Sequence, residues 1–349
     1  MPDLSIVIPV YNTEEDYLHS CLTSIEACAR VGISLETIVV DDGSDLSYGA
    51  RLSDILVGYD IRASLHHKVN GGQNSARALG ASLATGEYLL FVDSDDRLVP
   101  GELARVVEVA LDLRPKILCF NYDRVAPDGS LLSHCGPWRG GYRTSESLSG
   151  YIPESDSLVR QLYCRKSFIE SGIRLVEGPR IGEDMASAVA LLLAIGEASS
   201  IGATPYLYVQ RPTSALHEVP EERALDIIKS ADGMLAQIAP DKRKRYADEL
   251  EALCILHVLF WGGTRSAKVS ENSDTYKPEF FRWMDGNFPA WRENPYMGEL
   301  ASRYGMAFRL VRRGRWRVYV VLFKAKGVLK RLHKVLSARK AAMGSGDHV

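Results

Sequence analysis

The sequence has few cysteines, no long apolar run and no recognisable leader. Its six cysteines form no CxxC pair, which argues against disulfide, zinc and iron–sulfur frameworks and predicts reduced thiols. No run approaches the roughly 18 apolar residues of a membrane-spanning helix, and the Val318 to Phe323 segment is far too short. Met1-Pro2-Asp3 lacks the basic segment and cleavage site of a signal peptide, so we expect a cytoplasmic location.

Acidic residues are scarce in the last part of the chain. Between Arg303 and Lys340 there are thirteen Lys or Arg and no acid, whereas the chain before Arg303 carries 29 basic and 43 acidic residues. From Ala307 to Lys340 apolar residues alternate with bases, which predicts an amphipathic helix on anionic phospholipid, with Trp316 and Tyr319 at headgroup depth. A helix that docks on a partner protein is the alternative. Nucleic acid is disfavoured, because the body is acidic and no nucleic-acid-binding module accompanies the tail.

The first half of the chain alternates between strand and helix patterns. Leu4 to Val10 is a β-branched apolar run, Thr13 is placed to cap the helix that follows, and Thr37 to Val40 is a second strand. A βαβ unit of this length predicts a parallel sheet. The other predicted elements are strands at 88–92, 116–121 and 206–210, helices at 74–84, 103–113 and 183–194, and a loop at 136–155.

The chain from Pro220 onward is predicted to be mostly helical. We therefore expect an α/β fold whose mostly parallel sheet is flanked by helices and followed by a helical extension. The predicted divisions are a catalytic domain over 1–218, a helical extension over 219–302 and a basic membrane-associating tail over 303–349.

Polar residues stand directly after the predicted strands, where ligands bind in parallel α/β sheets. They are Tyr11-Asn12, Asp41-Asp42-Gly43-Ser44 and Asp93-Ser94-Asp95-Asp96. Asp93 and Asp95 are two apart, so in extended chain they project to the same side and would share a Mg²⁺ or Mn²⁺ ion. A solvated acidic turn is the simpler interpretation of such a pair, but the acidic ends of neighbouring strands favour a cation with a nucleotide.

The segment Asn70-Gly71-Gly72-Gln73 leads into a predicted helix and has two interpretations. It is either a nest of backbone N–H groups for a phosphate or a simple turn. Arg77, one turn further on, would pair with a diphosphate or merely with neighbouring acids.

Taken together, these motifs resemble the family 2 inverting glycosyltransferases over about the first 125 residues. The matching segments are Ser5–Asn12, Val40–Ser44, Gly71–Arg77, Gly86–Tyr88 and Phe91–Asp96. The resemblance implies the A-type glycosyltransferase fold, a nucleotide-diphospho-sugar donor, most readily a UDP-sugar, and a divalent metal. Ala78 departs from the family, which often has Asn after the Arg.

The resemblance also assigns roles to individual residues. Pro9, Tyr11 and Asp42 would border the base, and Arg77 and Ser94 the nucleotide. Asp93 would contact the ribose and the metal, and Asp95 the metal.

Two later segments extend the resemblance. Gly182-Glu183-Asp184-Met185 is similar to the family's acceptor motif, in which the Asp is the base, although two acids in a first helical turn also suit the helix dipole. The segment from Tyr208 to Ser214 is similar to the one that closes the family's catalytic domain. There Arg211 would steady the diphosphate, and His217 would complete the metal or phosphate shell.

These features predict a metal-dependent inverting glycosyltransferase on the inner face of the cell membrane. Its predicted acceptor is a glycan, most readily a lipid-linked oligosaccharide of a surface polysaccharide, and no nucleic-acid partner is expected. Two other interpretations remain open. One is a catalytically silent membrane scaffold with the same fold, and the other is a nucleotidyltransferase, which would release pyrophosphate rather than a nucleoside diphosphate.

Overall fold

A computed structural model describes residues 1–145, 147–211, 220–270 and 272–325. The chain divides into two compact units. Unit 1 comprises Met1–Glu218 and Lys229–Leu250, and unit 2 comprises Val219–Ile228 and Glu251–Val349. Within the described residues no helix is both long and apolar enough to cross a membrane.

The strands found among the described residues lie in unit 1. They are β1 Leu4–Val10, β2 Leu35–Asp41, β3 Ala63–His67, β4 Tyr88–Phe91, β5 Arg97–Leu98, β6 Ile117–Cys119, β7 Tyr122–Val125, β8 Leu131–Cys135, β9 Arg143–Thr144, β10 Gln161–Cys164, β11 Ser199–Ser200 and β12 Tyr206–Val209.

The helices are distributed over both units. They are α1 Glu15–Arg30, α2 Leu46–Val57, α3 Gln73–Leu83, α4 Pro100–Leu113, α5 Arg165–Glu170, α6 Glu183–Ile195, α7 Asp226–Gln237, α8 Pro240–Arg245, α9 Ala247–Cys254, α10 Gly263–Val269, α11 Lys277–Asn287 and α12 Met297–Arg312. Residues Ile255–Gly262 form a π-helix, and residues 316–325 are helical.

A large sheet forms the core of unit 1, with the strand order β3-β2-β1-β4-β10-β6-β11-β9. Strands β1, β2, β3 and β4 run parallel, because each is joined to the next by a crossover helix. β1 and β2 are buried along their whole length, as expected of central strands covered on both faces. β10 enters antiparallel between β4 and β6, and β9 pairs antiparallel with β11 at one edge. The predicted mostly parallel sheet is thus confirmed, with two antiparallel strands.

A second, smaller sheet has the order β5-β12-β7-β8. β7 and β8 form a hairpin whose turn is closed by the N–H of Ala126 donating to Ser130 O at 2.9 Å. β12 pairs antiparallel with β5, which directly follows the Asp93–Asp96 segment. The small sheet therefore brings β12 beside the acidic end of β4.

Unit 2 is built around aromatic side chains, and Trp316 lies among them. Its ring is fully buried near Phe280 and Phe281, and Gly263 lacks the Cβ that would approach it to 2.6 Å. Tyr319 is 8% exposed. The prediction that these two aromatics lie at headgroup depth is therefore wrong, because both are used for packing inside unit 2.

The predicted amphipathic helix from Ala307 to Lys340 is also divided within the described residues. α12 is interrupted at Gly305 (φ 61°, ψ −142°) and ends at Arg312, and Gly314 (φ 68°) forms a turn before helix 316–325. The part of the predicted tail beyond residue 325 lies outside the described residues. One cut between the two units falls at Glu218, and the division into a catalytic domain, a helical extension and a tail stays a prediction.

Candidate active site

The candidate site lies where the parallel strands of the large sheet end. β1 lies between β2 and β4 and runs parallel to both, so the residues after Val10, Asp41 and Phe91 meet at one edge. Tyr11 extends from that edge with half of its surface exposed, while Pro9 is buried within β1. The structure therefore brings together the strand-end residues that the sequence indicated.

Asp42 is engaged by the glycine-rich segment before α3. Its Oδ1 accepts hydrogen bonds from Lys68 Nζ at 2.8 Å and from the Gly71 N–H at 2.9 Å, and its Oδ2 accepts one from the Gly72 N–H at 2.7 Å. Gly43, at φ 75°, allows this close approach, since a Cβ there would lie 2.6 Å from Asn70 N. The two N–H groups that a phosphate nest would offer thus bind the chain's own carboxylate.

Arg77 is the centre of the site. Its side chain is fully buried and donates to Asn74 Oδ1 at 3.0 Å, to Asp93 Oδ1 at 2.5 Å and to Asp184 Oδ1. Burial disfavours the charged guanidinium, but the charges of Asp184 and Asp93 outweigh it and raise the pKa of Arg77. A permanently charged arginine therefore joins the end of β4 to the start of α6.

The residues of the Asp93–Asp96 segment, which follows β4, have different partners. Ser94 is buried, with its hydroxyl 2.6 Å from that of Thr13, so Thr13 bonds across to this segment and makes no capping bond to α1, contrary to prediction. Asp95 pairs with Arg211 at 2.5 Å. Asp96 is fully buried and accepts bonds from Tyr206 Oη at 2.6 Å and the Val209 N–H at 2.8 Å. Asp96 therefore fixes β12, whereas Asp93 and Asp95 stay partly accessible.

Like charges at this edge are held close together. Burial raises the pKa of the Asp95 carboxyl, and the charge of Asp93 raises it further, although Arg211 opposes both. The side chains of Asp93 and Asp95 are 22% and 19% exposed. Two partly accessible, mutually repelling carboxylates are the ligand set that a small divalent cation uses, with water and phosphate oxygens completing its shell. Among the described residues, no group of three or more His, Cys, Asp or Glu could hold a metal ion, and His217 lies outside them.

Asp184 lies in the first turn of α6 and accepts a hydrogen bond from Arg77 Nη1, whereas Asp93 accepts one from Nη2. Its Oδ2 accepts a hydrogen bond from Ser157 Oγ at 3.4 Å. Burial raises the pKa of Asp184, and the Arg77 guanidinium acts in the opposite direction. The side chain retains 22% exposure, so a substrate hydroxyl could reach it.

Several residues of the site were not predicted from the sequence. Asn74 Nδ2 joins α3 to α6 by donating to Val176 O at 3.0 Å and to Ser187 Oγ at 3.1 Å. Gln73 Nε2 donates to Asp93 at 2.6 Å. The position of Asn74 beside the glycine-rich segment was an available signal, whereas Lys68 and Ser157 follow no recognisable pattern.

Comparison with known proteins identifies the family of part of the chain. Residues 5–170 match the profile of Glycosyl transferase family 2. Residues 5–170 are a family 2 glycosyltransferase domain. The family resemblance seen in the motifs is thereby confirmed.

Two relatives from bacteria align over more of the chain. EpsJ of Bacillus subtilis, an uncharacterized glycosyltransferase, is 26% identical over 235 residues, which cover 65% of this chain and 66% of EpsJ. The succinoglycan biosynthesis protein ExoO of Rhizobium meliloti is 27% identical over 259 residues, 71% of this chain and 70% of ExoO. The chain thus spans about two thirds of the length of these relatives.

A solved structure supports the fold. TarS 1-349 of S. aureus, in complex with UDP-GlcNAc, has a TM-score of 0.56 at 18% identity and covers 85% of this chain and 92% of its own. At that identity the likeness concerns the fold alone. The predicted A-type glycosyltransferase fold, with a helical C-terminal region, is confirmed.

Glu183, beside Asp184 in the first turn of α6, has a measurable consequence for stability. Burial and the charge of Asp184 raise its pKa from 4.5 to about 7. Between those values the folded protein binds the proton more tightly than the unfolded chain, so the free energy of unfolding falls as pH rises through this window. Above it the ionised carboxylate costs about 3 kcal/mol.

Glu183→Gln removes that cost. We expect its melting temperature to exceed that of the wild type by roughly 2–8 °C at pH 8 and to differ little at pH 4.5, as differential scanning calorimetry would show. Glu170→Gln, in which an exposed carboxylate is lost, is the matched control and should show no such pH dependence. A gain that is equal at both pH values would contradict the shifted pKa.

Proposed function

We propose that the protein transfers a sugar, with inversion, from a nucleotide-diphospho-sugar to an acceptor hydroxyl, with the help of a divalent metal. The observation that carries the proposal is the buried Arg77, which pairs with Asp93 on one side and with Asp184 on the other. The Arg77 guanidinium thus links a carboxylate at the strand ends, where a donor would bind, to a carboxylate suited to activate an acceptor. Coupled positioning of two reactants is the main task of a group-transfer site.

The donor would bind along the strand ends. The half-exposed ring of Tyr11 offers a face for the base, with Pro9 and Asp42 beside it. Ser94 would border the nucleotide with Arg77, and Arg211 would steady the diphosphate. A UDP-sugar is the donor we propose, since the structural neighbour TarS was solved with UDP-GlcNAc.

Mg²⁺ or Mn²⁺ fits the pair formed by Asp93 and Asp95. The two carboxylates supply the hard oxygen ligands that these ions prefer, and His217 is a further proposed ligand. When bound, the ion would neutralise charge on the leaving diphosphate. Burial and, after it, the charge of Asp93 raise the pKa of Asp95, and a bound cation would stabilise the ionised pair.

Asp184 would act as the base. In an inverting transfer the acceptor hydroxyl attacks the anomeric carbon from the face opposite the diphosphate and loses its proton to a carboxylate. The raised pKa makes Asp184 a stronger base than an ordinary carboxylate, and Arg77 and Ser157 hold its orientation. Below its raised pKa the carboxyl is protonated, so transfer should decline on the acidic side.

We further propose that the acceptor is a glycan, most readily a lipid-linked oligosaccharide for a surface polysaccharide. The name of ExoO, succinoglycan biosynthesis protein, supports the polysaccharide assignment. Between Arg303 and Lys340 there are thirteen basic residues and no acidic one. This charge supports the proposal that residues 303–349 associate with the anionic inner face of the cell membrane. Residues 1–218 would then be the catalytic domain and 219–302 the helical extension.

The proposal is tested by incubating the protein with a panel of UDP-sugars, Mn²⁺ and a membrane lipid extract, and analysing the products. We expect release of UDP and a product whose new linkage has the opposite anomeric configuration to the donor. Release of pyrophosphate would instead indicate a nucleotidyltransferase. Failure to bind any nucleotide-sugar in a thermal-shift assay would favour a silent scaffold.

Asp95→Asn provides a sharper test of the metal assignment. We expect at least a tenfold loss of Mn²⁺-dependent UDP affinity in isothermal titration calorimetry, because an amide is a much weaker ligand for a hard cation than a carboxylate. The circular dichroism spectrum should be unchanged.

Arg211→Gln is the matched control, since it breaks the same ion pair but keeps the Asp95 carboxylate. It should weaken UDP binding both with and without Mn²⁺, and the ratio of the two affinities should stay that of the wild type. If Asp95→Asn preserved that ratio as well, Asp95 would not be a metal ligand.

A further inference from the structure

Helix 316–325 has an unusual outward face. One side packs into unit 2 through Trp316, Tyr319 and Val320, whose exposures are 0%, 8% and 8%. At 100° per residue, the residues opposite this buried side are those at 318, 321, 322 and 325. On an ordinary surface helix they would be polar.

Here they are apolar. Val318 is 46% exposed, Val321 65% and Leu322 47%, and Ala325 is exposed on the same face. All four fall within an arc of about 100°. The helix therefore carries apolar side chains both towards the interior of unit 2 and away from it.

The helix is also held firmly in place. The Trp316 Nε1–H donates to Val311 O at 3.1 Å, and the Lys268 ammonium lies 3.7 Å above the centre of the Phe323 ring. These contacts occupy the inner face and its border. The outward face thus belongs to a helix that is packed into the folded unit 2.

The charged residues beside this apolar face indicate which kind of surface it would bind. At 100° per residue the exposed Arg315 and Lys324 fall on opposite borders of this face, and the sequence has no acid between residues 303 and 340. Apolar side chains bordered by bases are complementary to an anionic bilayer, in which the former enter the acyl boundary and the latter meet the headgroups.

We propose that Val318, Val321 and Leu322 form a membrane-docking face that rests in the interfacial region of an anionic bilayer. This inference deepens the membrane part of the proposed function, and it replaces Trp316 and Tyr319 as the inserted side chains. Because the face belongs to unit 2, docking would orient unit 2 against the lipid surface.

The test uses the full-length chain and vesicles of phosphatidylcholine with 30% phosphatidylglycerol, compared with phosphatidylcholine alone. The variant Val321→Glu/Leu322→Glu places two charges in the centre of the face. We expect at least tenfold weaker co-sedimentation with the anionic vesicles, since burial of both apolar side chains is lost. The matched control Val57→Glu/Leu113→Glu places two charges at exposed apolar positions of unit 1 and should bind as the wild type does.

A second variant separates charge from apolar contact. Arg315→Gln/Lys324→Gln should weaken binding to the anionic vesicles by about fivefold per base at low salt, and the difference should shrink at 0.5 M NaCl. The loss in Val321→Glu/Leu322→Glu should persist at that salt concentration. UDP affinity is measured on every variant, so a failure of the proposed donor site is recognised independently of membrane binding.

Two results would overturn the proposal. The first is a wild-type protein that does not bind the anionic vesicles, and the second is a Val321→Glu/Leu322→Glu variant that binds them undiminished. In the second case, a lower melting temperature or a dissociated oligomer in light scattering would show that the face is covered by protein.

Discussion

Asp184→Asn should abolish sugar transfer while preserving donor binding. The amide keeps the size of the carboxylate and can still accept a hydrogen bond from Arg77, but it cannot take the proton of the acceptor hydroxyl. A general base acts in the transition state, so kcat should fall by about 10²-fold or more, with the UDP-sugar affinity within a factor of a few. Product formation measures the first quantity and calorimetry the second.

The variant Glu183→Gln shows whether Asp184 or its neighbour Glu183 is the general base. Glu183 occupies the same helical turn, and its pKa of about 7 would also suit a base. We expect this variant to retain most of the transfer activity, because Asp184 and not Glu183 pairs with Arg77 at the centre of the site. If Glu183→Gln lost transfer and Asp184→Asn kept it, the base would be Glu183.

The fold was predictable where burial is complete. β1 and β2 are buried throughout and mostly apolar, because both faces of these central strands are covered. A short β-branched run bounded by turn residues indicates such a strand directly. β3 and α2 were not predicted. β3 is an edge strand with the sequence Ala-Ser-Leu-His-His and is only partly buried, so it has no apolar run to detect.

The sequence predicted which residues belong to the candidate site but not which of them pair with one another. The rule that ligands bind beyond the ends of parallel strands selects Tyr11, Asp42 and Asp93 from sequence alone. The pairing of Arg77 with Asp184 joins residues 107 positions apart, and only the packing of α3 beside α6 decides it. Thr13 illustrates the same limit, since its local pattern favours a helix cap but Ser94 is the partner that the fold supplies.

The prediction of which aromatic side chains the tail exposes was wrong for a related reason. Alternating bases and apolar residues predict an amphipathic helix but do not say which apolar residues are buried by the protein itself. Trp316 is fully buried because Gly263 leaves space for its ring, a pairing across 53 residues of sequence. The exposed apolar side chains are instead the smaller ones at 318, 321 and 322.

Arg77→Lys should impair stability and transfer together. The guanidinium presents a planar fork that reaches Asp93, Asp184 and Asn74 at once, whereas the single nitrogen of an ammonium group cannot serve both carboxylates in the same geometry. A carboxylate left buried without its partner costs about 3–5 kcal/mol when the pair is broken outright. For the lysine variant we expect about 2–4 kcal/mol from urea unfolding, since one of the two pairs can survive.

Arg160→Lys separates the structural loss from the functional one. Arg160 is also buried, at 7% exposure, and pairs with Asp156 and Glu154 in unit 1, so its replacement should lower the free energy of unfolding by a similar amount. Only Arg77→Lys should in addition lower kcat by about 10²-fold at a temperature where both variants are folded, because only Arg77 holds Asp184 and Asp93 in place for the two reactants. Equal residual activity in the two variants would mean that Arg77 stabilises the fold and has no part in aligning donor and base.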